Sequence, residues 1–254
     1  MSIKTLERCP ICTGNFAQPY VKKDGYKFLK CTCGYIFCHP RPTQAELDKC
    51  YGVGEASESS QNILSNFYPK ASSRGRRAFF NAIKLLPYVW GKRVMDLGCG
   101  GGFVVGSMKT VGAREAVGVD INPSSIDYAS SQYPKCKFHC GEFGDFSNRK
   151  LGRFDFIYSS EVIEHVVDVE AYMQFLVDMT EPFAKVFITT PDIASNQVPK
   201  DVTSWDVFSP PLHIQFFTQA TLTQLFERYG FKVIKRTTDR GGAGLKMLFI
   251  KVKS

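Results

Sequence analysis

From Arg93 onward, short apolar runs alternate with longer stretches whose apolar positions recur every three or four residues. The strand candidates are 93–97, 115–119, 136–140, 154–159, 184–189, 231–236 and 246–252. Helical stretches between strands predict an α/β sheet, mostly parallel, with helices on both faces. Only "TTDRGGAGL" separates the last two strands, too little for a crossover helix, so they are expected to pair antiparallel. Gly241, Gly242 and Gly244 read as the hairpin turn between them. The expected fold is a Rossmann-like doubly wound seven-stranded sheet with an antiparallel last strand.

Upstream, the pattern predicts a helix over 72–86 with Phe79, Phe80, Ile83 and Leu86 on one side, ended by Pro87. Residues 52–66, rich in Gly, Ser, Glu and Asn, read as a linker. Thr43 followed by Glu46 has the spacing of a capping box. In the first fifty residues "YVKKDGYKFLK" gives two short strands around an Asp24-Gly25 turn, flanked by Cys9-x-x-Cys12 and Cys31-x-Cys33. So small a module needs a staple, and four thiolates on one structural zinc ion would supply it. Cys9, Cys12, Cys31 and Cys33 are the preferred ligands, with Cys38 and His39 close enough in sequence to replace one of them. The expected division is a cysteine-rich module over 1–50, a linker and helix over 51–92, and a main domain over 93–254.

The formal charge of +8 changes this picture through its placement. Residues 1–93 hold 15 Lys/Arg against 6 Asp/Glu, whereas 94–254 hold 17 against 18. A one-sided basic segment suits nucleic acid, an anionic membrane or an anionic small substrate, or is simply a solvated surface. No run reaches the roughly 18 apolar residues of a membrane span, and the first residues lack a signal-peptide core, so a cytoplasmic protein is expected. Paired cysteines in such a chain point to metal rather than disulfides.

"VMDLGCGGGF" joins a strand to a helix, with Gly98, Gly100 and Gly102 forming G-x-G-x-G and Asp96 two residues ahead. Such a turn admits a ligand closely and presents helix N–H groups to an anion. Asp120 ends the next strand, where an acid can accept the hydroxyl protons of a ribose. The third glycine comes one residue too early for a dinucleotide turn, which makes NAD the less suitable ligand.

Together, "VMDLGCGGG", "GVDINPSSIDYA", "FDFIYSSEVIEHVVD", "FITTPD" and "HIQFFTQATLTQLFERYGFKVI" resemble the class I S-adenosylmethionine-dependent methyltransferases, in style the ubiquinone-biosynthesis O-methyltransferase group. The resemblance implies that Asp96, Gly98, Cys99, Gly100 and Gly102 hold the methionine end of S-adenosylmethionine and Asp120 the ribose. It places Ile121 beside the adenine, Glu142 and Phe143 at its other edge, and Ser160 on the cofactor side, with Cys99 offering backbone rather than thiol. The front module resembles the cysteine-rich zinc ribbon ahead of some bacterial methyltransferases.

"SSEVIEHVVD" follows the strand 154–159. On a helix, Glu161, Glu164 and His165 would share a face. His165 is a candidate base for an acceptor hydroxyl, with Glu164 orienting it and raising its basicity. The family's ExxEH pattern can instead hold a divalent cation, and the structural alternative has Glu161 capping the next helix. His213, in "SPPLHIQFF", is a candidate second polar contact, and Trp205 and Phe208 suggest a lid over the acceptor.

The leading reading is a methyltransferase acting on an oxygen of a sugar, phenol or natural-product intermediate, the acceptor being anionic or carrier-linked. "SSEV" stands where base-methylating enzymes carry Asn/Asp-Pro-Pro-Tyr/Phe, which favours oxygen over nitrogen. The alternative is an RNA methyltransferase that uses the basic front region for recognition. A non-catalytic cofactor-binding regulator is a third reading, and oligomeric state stays open.

Overall fold

Period-two side chains on the strand Arg93–Leu97 (β4) place it between two cores. Val94 joins Phe156 and Tyr158 in one apolar cluster, while Met95 and Leu97 join Ile157 in the other. The computed structural model describes residues 8–14, 18–51, 71–148, 151–238 and 242–252. The expected linker 52–66 and Gly241 lie outside them.

Around β4 the chain adds Glu115–Asp120 (β5), Lys137–Cys140 (β6), Phe154–Ser160 (β7), Thr180–Pro191 (β8), Phe231–Thr238 (β10) and Gly244–Lys251 (β11). Their order is β10-β11-β8-β7-β4-β5-β6, with β11 antiparallel to both neighbours and the β8-β7-β4-β5-β6 pairs parallel. The chain runs outward from β4 to β6 and then returns to the other side of β4 as β7. That reversal opens a crevice at the carboxyl ends of β4 and β7, where ligands bind in such sheets.

A second sheet combines Gln18–Lys23 (β1), Tyr26–Lys30 (β2) and Ile36–Cys38 (β3) with Gln215–Phe216 (β9) from the main domain. Asp24 and Gly25 both have positive φ, the geometry of the expected hairpin turn. The Thr43–Glu46 capping box forms at the start of Gln44–Tyr51 (α1). Because β9 pairs with β3, the front module is stitched into the main domain. Phe28, Ile36, Phe208, Ile214 and Phe216 share one core across the seam, with Phe208 and Phe216 stacked at 4.7 Å. Phe208 is fully buried between the rings of Phe28 and Phe216, and the half-buried Trp205 packs on Phe216 at 6.1 Å, so both belong to this seam and the expected lid over the acceptor is corrected.

The upstream helix is Ala71–Lys84 (α2), followed by a separate short turn Leu86–Val89 (α3). Pro87 stands in the first turn of α3, where its missing N–H costs nothing, so it begins a helix instead of ending one. Small Ala78 and Ala82 form the buried face of α2, while Phe80 and Ile83 are 61% and 44% exposed. The remaining helices are Phe103–Thr110 (α4), Pro123–Gln132 (α5), Phe143–Asn148 (α6), Val169–Met179 (α7) and Gln219–Arg228 (α8). Among the described residues no helix is long and apolar enough to cross a membrane.

Candidate active site

After β4 the chain turns through Gly98, Gly100 and Gly102, all at positive φ, and enters α4. At Gly98 an added Cβ would come within 2.5 Å of Val162 Cγ2, so this turn is pressed against the segment after β7. At Gly100 an added Cβ would meet nothing within 4 Å, leaving the backbone open to a ligand there. Asp120, at the end of β5, accepts the Gly100 N–H at 2.8 Å and the Asn122 N–H at 2.9 Å. Each oxygen keeps a lone pair, so the carboxylate can brace the turn and still accept from a ribose hydroxyl. Burial, then the Asp120 charge, pushes the carboxyl of Asp96 well above the usual range.

The other predicted cofactor residues lie at or just after the carboxyl ends of β4, β5, β6 and β7. Cys99 is buried, and its amide donates to Val119 O at 3.0 Å. Burial raises its thiol, which suits an inert side chain. Ile121 follows β5 directly, and Glu142 is exposed just before α6. Phe143 packs at 6.0 Å against both Tyr172 and Phe175 of α7. Ser160 Oγ lies 2.6 Å from Thr189 Oγ1.

The segment after β7 is not a helix, contrary to the condition under which Glu161, Glu164 and His165 would share a face. Glu161 adopts φ 55°, a left-handed conformation that turns the chain, and α7 begins only at Val169. Asp168 caps α7 by accepting from the Glu170 and Ala171 amides, so Glu161 is no helix cap. Glu161 is held instead by Thr189 Oγ1 at 2.7 Å.

Convergence comes from tertiary structure. Thr190 Oγ1 donates to Glu164 Oε2 at 3.0 Å, and the Ile214 amide donates to Glu164 O at 3.0 Å. His165 Nδ1 lies 2.9 Å from Leu212 O, and His213 Nδ1 bonds Val207 O. The two rings meet edge to face, 4.6 Å between centroids. A carbonyl only accepts, so both Nδ1 atoms carry the hydrogen and both Nε2 atoms carry a lone pair. Glu164 is fully buried, and its Oε1 finds no donor although it lies 3.9 Å from His165 Nε2. One ligand atom from each of Glu164, His165 and His213 falls within 4.8 Å of the others.

Electrostatics corrects a further expectation. Burial and then His213 push His165 down to about 4, and burial also lowers His213. Burial and then the Glu161 carboxylate drive Glu164 up. Glu164 therefore does not raise the basicity of His165, and the Leu212 carbonyl, not Glu164, orients the ring. Thr189, Thr190 and the carbonyls of Val207 and Leu212 were not singled out in the sequence. The adjacent threonines of "FITTPD" at a strand end were the one signal available for any of them.

The four predicted cysteines also meet. Cys9 and Cys33 sulfurs lie 3.8 Å apart, those of Cys12 and Cys31 3.6 Å, and all four lie within 4.8 Å. Zn–S bonds of 2.3 Å in a tetrahedron put sulfurs about 3.8 Å apart, so the donor set fits a zinc ion. Cys38 is turned away, donating to Pro40 O, and is no substitute ligand.

Comparison with known proteins agrees with this geometry. Residues 68–236 match a family profile described as a methyltransferase domain. The chain belongs to that family, which makes it an S-adenosylmethionine-dependent methyltransferase by class. It is 31% identical over 104 residues to the ubiquinone biosynthesis O-methyltransferase of Aromatoleum aromaticum, covering 39% of this chain and 44% of that protein. The enzyme of the same name from Neisseria meningitidis serogroup A is 30% identical over 156 residues, 56% of this chain and 65% of its own. The chain thus spans less than two thirds of these relatives. Among solved structures, magnesium protoporphyrin IX methyltransferase from Synechocystis, with bound SAH, matches with TM-score 0.55 and 14% identity over 82% of this chain and 95% of its own. A TehB-like SAM-dependent methyltransferase from Corynebacterium glutamicum matches with TM-score 0.55 and 18% identity over 76% and 98%. At such identities the likeness establishes the fold.

Proposed function

We propose that this chain transfers the methyl group of S-adenosylmethionine to an oxygen of a small-molecule acceptor. In this reading Asp96, Gly98, Cys99, Gly100 and Gly102 receive the methionine end, Asp120 the ribose, Ile121, Glu142 and Phe143 the adenine, and Ser160 borders the same side. When bound, the sulfonium supplies an activated methyl group for in-line displacement. The chain's own work is to position the acceptor and take its proton.

The observation that carries the oxygen assignment is the pair of imidazoles beside Glu164, each with Nδ1 donating to a carbonyl. His165 Nε2 is thereby presented as a lone-pair nitrogen at the carboxyl end of β7, and it accepts the proton of an acceptor hydroxyl. The buried Glu164 Oε1, lacking a donor, favours a second reading of the same cluster. Glu164, His165 and His213 would hold a divalent cation, which would acidify the acceptor hydroxyl directly. The O-methyltransferase names of the relatives support the acceptor atom, and sugars, phenols and natural-product intermediates are the candidates. A zinc ion on Cys9, Cys12, Cys31 and Cys33 has a structural role, since four thiolates leave no open position.

Calorimetry with S-adenosylmethionine and its demethylated product tests the cofactor part, and binding of neither would refute it. Chelator treatment followed by Co2+ titration tests the cation reading. A second Co2+ per chain, abolished by His213→Ala, supports it, and one Co2+ per chain in both proteins leaves His165 as the base.

A further inference from the structure

Gln215 is buried within β9, the strand by which the main domain joins the sheet of the cysteine module. Its Nε2 donates to the carbonyls of Ile163 and Val166, the second at 3.0 Å. Those two carbonyls bracket Glu164 and His165. Its Oε1 accepts from Tyr35 Oη and, at 2.7 Å, from Arg41 Nη2. Both donors come from the module: Tyr35 O accepts the Cys31 amide at 2.8 Å, and Arg41 follows β3. Arg41 also donates through Nη1 to Ile214 O at 3.0 Å, and the Ile214 amide holds Glu164 O.

The turn 161–166 needs this support. Lacking helical hydrogen bonds, its inward carbonyls must find donors elsewhere or remain unsatisfied at a cost. Arg41, 3% exposed, makes its bonds to the neutral oxygens of Tyr35, Ile214 and Gln215 while its Nε finds no partner. Burying a guanidinium on neutral acceptors is expensive for a purely structural contact. It does fix the Gln215 amide, since an oxygen accepting from Arg41 and Tyr35 forces the NH2 toward the turn.

We propose that Gln215, oriented by Tyr35 and Arg41, is a positioning residue through which the four-cysteine module sets the geometry of the turn carrying Glu164 and His165. Its relevance to catalysis rests on the function proposed above; the mechanical link does not. The module thereby acts on the turn through Gln215.

The test uses the full chain and Gln215→Glu, which keeps the shape and the acceptance from Tyr35 and Arg41 but cannot donate to the two carbonyls when ionised. Hydrogen–deuterium exchange is followed by peptide, together with affinity for S-adenosylhomocysteine. The expected result is exchange at least about ten-fold faster in 161–167, unchanged exchange in β4 and β5, and an affinity within about two-fold of wild type. Unchanged exchange in 161–167 overturns the proposal, as does a loss spread equally over β4 and β5, the mark of general destabilisation. Should Gln215→Glu not fold, Tyr35→Phe removes one hydroxyl and is expected to quicken exchange in the same segment, and no change there overturns the proposal. If wild type fails to bind S-adenosylhomocysteine, the functional reading fails while the exchange result still decides the positioning role.

Discussion

The rings of His165 and His213 meet edge to face at 4.6 Å, although 47 residues separate His165 from the Leu212 carbonyl that orients it. Each imidazole spends Nδ1 on a backbone oxygen, which fixes the tautomer that a base or a metal ligand requires.

Replacing His165 by Ala is expected to lower turnover at saturating substrate by about 10²-fold or more, the usual contribution of a positioned acid–base group. Affinity for S-adenosylhomocysteine should stay within about two-fold, because the proposed role of the ring is toward the acceptor and not the cofactor. Steady-state kinetics and calorimetry separate the two, and equal turnover numbers would remove His165 from the chemistry.

Gly98→Ala should weaken cofactor binding by at least about ten-fold. A methyl there starts from φ 76° and lies 2.5 Å from Val162 Cγ2, so the turn must move. Val162→Ala in the same chain removes the opposing methyl groups and should restore part of the affinity, which a double-mutant cycle by calorimetry would reveal.

One zinc per chain is expected by elemental analysis, and Cys12→Ser should lower both the zinc content and the melting temperature. Metal binding at such a site is linked to folding, and the module shares a sheet and a core with the main domain. A melting temperature unchanged in a zinc-free Cys12→Ser protein would contradict the structural role.

Acid should remove a contribution made by Glu115. Hydrogen bonds from Arg93 and Lys137 hold its carboxyl down at about 2 against 4.5. A depressed folded value means stability fully present above about pH 4.5 and lost as pH falls toward 2. With Lys137 68% exposed the effect is screened, and about 1–2 kcal/mol is a reasonable size. Denaturant melts of Glu115→Gln should therefore be less stable than wild type at pH 7 and converge with it near pH 2.

The sheet was legible because each strand is a short apolar run, and the last hairpin because nine residues cannot cross over. The cysteine cluster was legible because ligand spacing is local. The active-site turn was not: the pattern of Glu161, Glu164 and His165 fits a helix face, but Glu161 turns left-handed and Asp168 offers the better cap. The Leu212 carbonyl that orients His165 and the Gln215 amide that holds the turn are long-range partners. Gln215 lies 49 residues from Val166, and nothing in their local sequences marks the pair. Trp205 and Phe208 misled because aromatic residues in a long proline-bounded segment look the same in a lid and in a packed seam.

The most direct measurement of methyl transfer incubates the purified protein with methyl-labelled S-adenosylmethionine and an extract of the cells it comes from, then follows the label into small-molecule, RNA and protein fractions. Transfer to an oxygen of a small molecule predicts label in the small-molecule fraction, lost with His165→Ala. Label in RNA, or equal label from wild type and His165→Ala, would contradict it.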